Sequence, residues 1–235
     1  MSDWYSQDKK ELTKIIKSYL TNKKSIKNIH GIIVPHAGYI YSGEIAGKAY
    51  SLLKDKIYKN IIVFGSSHYA SYYGIASLEE IKTPFGKINI QENKLRKLKY
   101  EHSIDNQIPF LQYLNIKKIL PIVVGDITID QAKEFAKEFA KEFNKQDTLF
   151  IFSTDLSHFL KYKECIKKDN ETIKTIENLD LEHFSKVDAC GRNALKILFT
   201  LCKENKWKPK LIEYKNSGDT TKDKSSVVGY ASFWF

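Results

Sequence analysis

Four short apolar runs, rich in β-branched residues and spaced by stretches of helical periodicity, constrain this chain more than any other feature. They are Ile29 to Val34, Asn60 to Phe64, Ile119 to Val124 and Leu149 to Phe152. A short run apolar on both faces reads as a strand buried inside a sheet rather than as a surface strand. Strands that alternate with helices imply a largely parallel sheet with helices packed on its faces. The expected fold class is therefore α/β, a central, mostly parallel β-sheet flanked by helices. No Pro/Gly/Ser-rich linker interrupts the 235 residues, so residues 1–235 read as one domain.

The helices are read from apolar spacing. From Gln7 to Leu20 the residues Leu12, Ile15, Ile16, Tyr19 and Leu20 share a face, and the polar stretch Thr21 to Ser25 ends that helix. A second helix is expected from Ser42 to Leu53. A third carries Ile104, Ile108, Leu111 and Leu114, with Ser103 as its N-cap. Ala132 to Phe143 repeats A-K-E-F and forms one amphipathic helix. Two more helices are expected from about Lys163 to Ile176 and from Cys190 to Lys203. Residues 74–90 read as short extended pieces around a turn at Pro84-Phe85-Gly86. Leu211 to Tyr214 and Ser226 to Phe235 read as late strands.

Several function classes are set aside by composition. No apolar run approaches the ~18 residues that a bilayer span needs, and Met1-Ser2-Asp3-Trp4 lacks a signal-peptide pattern. Cys165, Cys190 and Cys202 are odd in number and irregular in spacing, which argues against a disulfide framework and for a cytoplasmic protein. The net charge of +10 raises nucleic acid as a partner, but only Arg96 and Arg192 are arginines. Phosphate and base forks favour arginine, and many lysines alternate with glutamate. A solvated lysine-rich surface explains the charge better than a nucleic-acid site.

Each of the four strands ends in small residues followed by polar or ionisable ones. These ends supply His36, His68, Asp126 and the pair Asp155/His158. The carboxyl ends of parallel strands share one edge of a sheet, so groups distant in sequence can meet there. Two imidazoles from neighbouring strand ends can reach one metal ion, with a third ligand from elsewhere. Cys190, in D-A-C-G-R at the expected start of a helix, is the candidate third ligand: a helix N-terminus and Arg192 both favour thiolate. The competing reading is a buried small hydrophobe, which is retained for Cys165 and Cys202. His158 reads as a proton-transfer group steered by Asp155, or the pair only caps the next segment. Glu101-His102 reads as a carboxylate supporting the site or as a helix cap. Tyr39, Tyr41 and Trp4 line a pocket or belong to the core, and His30 and His183 read as structural or exposed.

These motifs together resemble the Memo family, a component of the set called AmmeMemoRadiSam. The matching pieces are P-H-A-G-Y-I-Y-S-G (35–43), G-S-S-H (65–68), E-H-S-I-D (101–105) and P-I-V-V-G (121–125). S-T-D-L-S-H (153–158), C-G-R (190–192) and S-S-V-V-G-Y-A (225–231) complete them, in the family's order. The resemblance implies a fold like that of class III extradiol dioxygenases, with the site at the strand ends. It implies iron or copper held by His36, His68 and Cys190, with Asp155 and His158 at the site edge and Trp4 and Tyr41 at its rim. S-D-W-Y stands here for the family's A-G-x-W-Y, G-S-S-H for G-P-S-H and S-T-D for S-S-D. A cysteine in place of a dioxygenase carboxylate softens the metal and argues against catechol cleavage. The expected function is that of a redox-active metalloprotein, an oxidoreductase or dioxygenase-like enzyme acting on a small molecule. The alternatives are a non-catalytic protein whose pocket takes a peptide or partner, including the other components of the set, and a zinc hydrolase.

Overall fold

The computed structural model describes residues 4–21, 26–143 and 146–235. Residues 22–25, most of the polar stretch expected to end the first helix, lie outside the described residues, as do Met1 to Asp3. In chain order the first elements are α1 (Lys9–Tyr19), β1 (Gly31–Val34), α2 (Tyr39–Tyr50) and β2 (Asn60–Ser66). Short strands follow: β3 (Ile75–Leu78), β4 (Lys82–Thr83), β5 (Gly86–Lys87), β6 (Asn89–Ile90) and β7 (Lys97–Leu98). Next come α3 (His102–Asp105), α4 (Ile108–Tyr113), β8 (Lys118–Val124), α5 (Ile129–Glu142) and β9 (Thr148–Ser153). The chain closes with α6 (Tyr162–Asn178), α7 (Arg192–Asn205), β10 (Lys210–Asn216), α8 (Ser217–Thr221) and β11 (Gly229–Trp234).

The central sheet runs β10-β11-β1-β9-β2-β8-β3-β7, with β6 also beside β8. The four apolar runs form its middle: β1 with β9, β9 with β2, and β2 with β8 pair in parallel. The antiparallel pairs lie to either side, β11 with β1 and β10 with β11 on one flank and β3 with β8 on the other. The fold is thus mixed α/β with a large, mostly parallel sheet between helices, as the alternation of runs predicts.

Strand side chains alternate between faces, and the two cores separate accordingly. Ile33, Ile62, Phe64, Ile122, Phe150 and Phe152 pack with α5 and α7 residues such as Ala136, Phe139, Leu195 and Phe199. Ile32, Val34, Ile61, Val63, Leu149 and Ile151 pack with Leu12, Ile16, Ala49, Tyr50, Ile108 and Phe110. Cover on both faces is why these strands are apolar throughout rather than alternating.

Several helix starts differ from the sequence reading, α5 among them, which begins at Ile129 behind its N-cap Thr128. α2 begins at Tyr39, directly behind Gly38, so Tyr41 stands on its first turn. The helix expected to be capped by Ser103 is two helices: Glu101 is the N-cap of α3, accepting from Ser103 N, and α4 restarts at Ile108 with Pro109 in its first turn. Proline has no N–H to leave unpaired there. α7 begins at Arg192 behind Gly191, so Cys190 precedes the helix instead of opening it.

Candidate metal centre

The parallel register brings the strand ends level. Val34 pairs with Ser153, Phe64 with Phe152, and Ser66 with Val124. His36, Asp155, His68 and Asp126 therefore leave the sheet along one edge.

His36 is held from several sides. Its backbone N–H and that of Ala37 donate to Asp155 Oδ1 at 2.7 and 3.3 Å. Its Nδ1 lies 3.0 Å from Ser153 Oγ, which accepts from Gln107 Nε2 at 2.8 Å. Gln107 also donates to Pro35 O and accepts from Tyr50 OH. The remaining ring nitrogen, Nε2, is 3.2 Å from Cys190 Sγ and 4.0 Å from Asp155 Oδ2. Burial lowers the His36 pKa to about 4, outweighing the opposing charge of Asp155, and the neighbouring imidazoles push it the same way. A neutral imidazole is the form that binds a metal.

His68 follows β2, and Glu101 reaches it from the start of α3. Glu101 Oε2 accepts His68 N at 2.7 Å, and Oε1 lies 2.9 Å from His68 Nδ1. Oε1 also accepts Ser103 N at 3.1 Å and stands 3.2 Å from His102 Nδ1. That second imidazole contact is off the hydrogen-bond axis, and the buried His102 Nδ1 has no other partner. Burial opposes ionisation of Glu101, which is 1% exposed. The facing His102 and His68 rings and the backbone N–H groups of His68 and Ser103 outweigh it and hold the carboxyl far below the usual range.

Three imidazoles, those of His36, His68 and His102, meet here with one ring nitrogen each within 4.8 Å of the others, a group that could hold a metal ion. Ring centroids are 5.2 Å apart for His36 with either partner and 4.3 Å for His68 with His102. Converging nitrogen donors with no cation between them repel. Two buried carboxylates, Glu101 and Asp155, stand behind them. The donor set fits a divalent cation: three imidazoles converge, and one buried carboxylate stands beside the Nδ1 of two of them. Of the three histidines Cys190 touches His36, and its Sγ also accepts from Asp155 N at 3.2 Å. Its thiol is pushed up in pKa by burial and then by the Asp155 charge, and a bound cation would reverse that electrostatic balance.

The three histidines form part of the floor of a cleft of about 1190 Å³. Trp4, Tyr41, Asp155 and His158 line the same cleft. Trp4 stacks on His102 at 4.7 Å between ring centroids. Tyr41 is partly exposed at the rim. His158 is partly exposed on the wall, its ring edge-on to Phe159. Asp155 spends its hydrogen bonds on the backbone of His36 and Ala37 rather than on His158. Cys190 lines a second, smaller cleft of about 490 Å³, shared with His68 and Asp126. Asp126 is exposed and accepts from Asn193. His30 stacks on Trp207, and His183 pairs with Asp180 at the surface, both away from the cluster.

His102 is the member of this group that sequence reasoning passed over as a ligand. Its signal was a third histidine beside an acid in E-H-S-I-D, but no strand ends there, so the strand-end rule could not find it. No helix among the described residues is long and apolar enough to cross a membrane.

Comparison with known proteins agrees with the motifs. The sequence profile of the family described as Memo-like protein matches residues 2–234. A MEMO1 family protein of Sulfolobus acidocaldarius is 36% identical, over 94% of this chain and 88% of its own length. One of Sulfurisphaera tokodaii is 35% identical over 91% and 85%, and one of Nitrosopumilus maritimus 30% over 99% and 96%. Similarity that spans the sheet, both helical layers and every strand end around the histidines leaves one assignment: the chain belongs to the Memo family.

Proposed function

We propose that this chain binds a redox-active metal ion, iron or copper, through its histidine cluster and acts as a metal-dependent oxidoreductase on an organic molecule held in the large cleft. The observation that carries the reading is the convergence of three imidazoles, two of them buried, at the floor of that cleft. Cys190 places a soft donor beside His36, one member of the cluster, which favours iron or copper over a hard cation. When bound, the metal supplies one-electron chemistry and open coordination positions. The chain supplies the rest. His158 on the cleft wall gives or takes a proton. Trp4 and Tyr41 offer flat faces against which a substrate aligns.

A second reading, a peptide- or partner-binding protein on the same fold, is favoured by the size and rim of the cleft. Its volume exceeds the ~300–1,000 Å³ common for small-molecule sites, and Ile40 and Phe159 stand exposed at 71% and 77% along it. The other AmmeMemoRadiSam components are candidate partners. Metal content after anaerobic purification separates the readings. Near-stoichiometric iron or copper in the wild type, lost in His68→Ala and His102→Ala and lowered in Cys190→Ala, supports the metal reading. Protein that neither retains metal nor takes up added iron(II), copper(I) or zinc sinks it and leaves the binding reading.

A further inference from the structure

We infer that Glu101 is a shared positioning residue, one buried carboxylate that places the proton of both His68 and His102 on Nδ1 and leaves Nε2 as the free donor of each ring. An ionised carboxylate only accepts hydrogen bonds, and so does a backbone carbonyl. His68 Nδ1 faces Glu101 Oε1 at 2.9 Å and Ser66 O at 3.1 Å, two atoms that only accept. A lone pair on that nitrogen would oppose both, so it carries the proton. Among the described residues His102 Nδ1 makes no well-aligned hydrogen bond, and the same Oε1 stands 3.2 Å from it. A proton there is drawn to the carboxylate, whereas a lone pair there would leave a buried nitrogen facing an anion. His36 differs: its Nδ1 faces the hydroxyl of Ser153, which can give or take a proton.

The ordinary role of Glu101 is to cap α3 through Ser103 N. A cap needs only a side-chain oxygen, and Glu101→Gln keeps one. What glutamine lacks is the charge and the acceptor-only character, and its amide nitrogen can face the rings as a donor. The inference rests on the metal reading only where affinity is concerned, because tautomers are measured without metal.

The experiment is nitrogen-15 NMR of the imidazoles in metal-free wild type and Glu101→Gln, followed by titration of both with cobalt(II). The wild type is expected to have His68 and His102 protonated on Nδ1, with that preference lost in the variant and cobalt(II) affinity lower by about 10–100-fold, the usual cost of removing an outer partner of a ligating histidine. Wild-type rings protonated on Nε2 would overturn the inference, even if the variant failed to fold. So would a variant with unchanged tautomers and unchanged affinity, the result expected of a cap alone. Tautomers that change as expected in a protein blind to cobalt(II) would uphold the role of Glu101 while counting against the metal reading.

Discussion

His36 is 2% exposed and faces two other imidazoles, so a proton on its ring finds neither water nor an unshared anion to favour it. With a native pKa of about 4 against 6.5 when unfolded, the direction of the pH effect follows. Above pH 6.5 both states are neutral at this residue and it contributes nothing. Between 6.5 and about 4 the unfolded chain binds a proton that the native state refuses, so stability falls as pH falls. The slope is about 1.4 kcal/mol per pH unit, on the order of 3 kcal/mol across the window. The depressed carboxyl of Glu101 acts lower: its stabilisation is present above pH 4.5 and is lost as pH falls further. Urea unfolding of the metal-free protein from pH 8 to 4.5 is expected to show this loss, and His36→Gln to flatten it. A slope unchanged in the variant would assign the acid sensitivity elsewhere. The residue scale also held the hardest part of the site to foresee. Cys190, His36 and His68 were legible as donors by type and motif, but the nearness of His102 depends on how α3 is seated.

At the element scale two glycines set these approaches, one for α3 and one for the start of α7. A β-carbon on Gly65 would overlap Ser103 Oγ and press on Ile104, so only glycine lets α3 lie against the end of β2. Ser103 Oγ then donates to Ser66 O at 2.9 Å, and Glu101 comes within reach of His68. A β-carbon on Gly191 would overlap Thr154, so glycine likewise lets the start of α7 close on β9 and sets Cys190 beside Asp155. Gly65→Ala is expected to cost about 1–3 kcal/mol, the usual price of overpacking. It should also weaken metal binding in protein that is still folded, because α3 must shift away from His68. Chemical denaturation and cobalt(II) titration on one preparation check both; a destabilised variant with wild-type affinity would refute the seating argument. At this scale the sequence predicted the long helices and the central strands, passed over α8 and β7, and missed how several helices begin. Caps depend on single side chains: Glu101 accepts from Ser103 N and opens α3, while Ser103 Oγ is spent on Ser66 O.

At the scale of the whole molecule, one sheet separates two apolar layers that answer to different tasks. The layer against α5, α6 and α7 is built on rings such as Phe64 and Phe152, stacked 4.5 Å apart between centroids. The layer against α1, α2, α3 and α4 supports Gln107 and Tyr50, which steady His36. Phe64→Ala is expected to destabilise the fold by about 3–5 kcal/mol and to leave metal affinity at the wild-type level wherever the protein remains folded. Thermal melts and cobalt(II) titration at low temperature test that separation, and a large affinity loss would show that the two layers are coupled. What the sequence determined by itself was the sheet: four apolar runs, too short and too apolar for surface strands, spaced by amphipathic helices, have few ways to bury themselves. It also determined that ionisable groups sit at the strand ends, because that pattern is local. Only the tertiary structure decided which of them meet. Parallel register brings His36, His68 and Asp155 level, the close packing of α3 adds Glu101 and His102, and Cys190 arrives from a loop that runs into α7. Those approaches depend on gaps the width of a missing methyl group, between segments tens of residues apart, which no local pattern records.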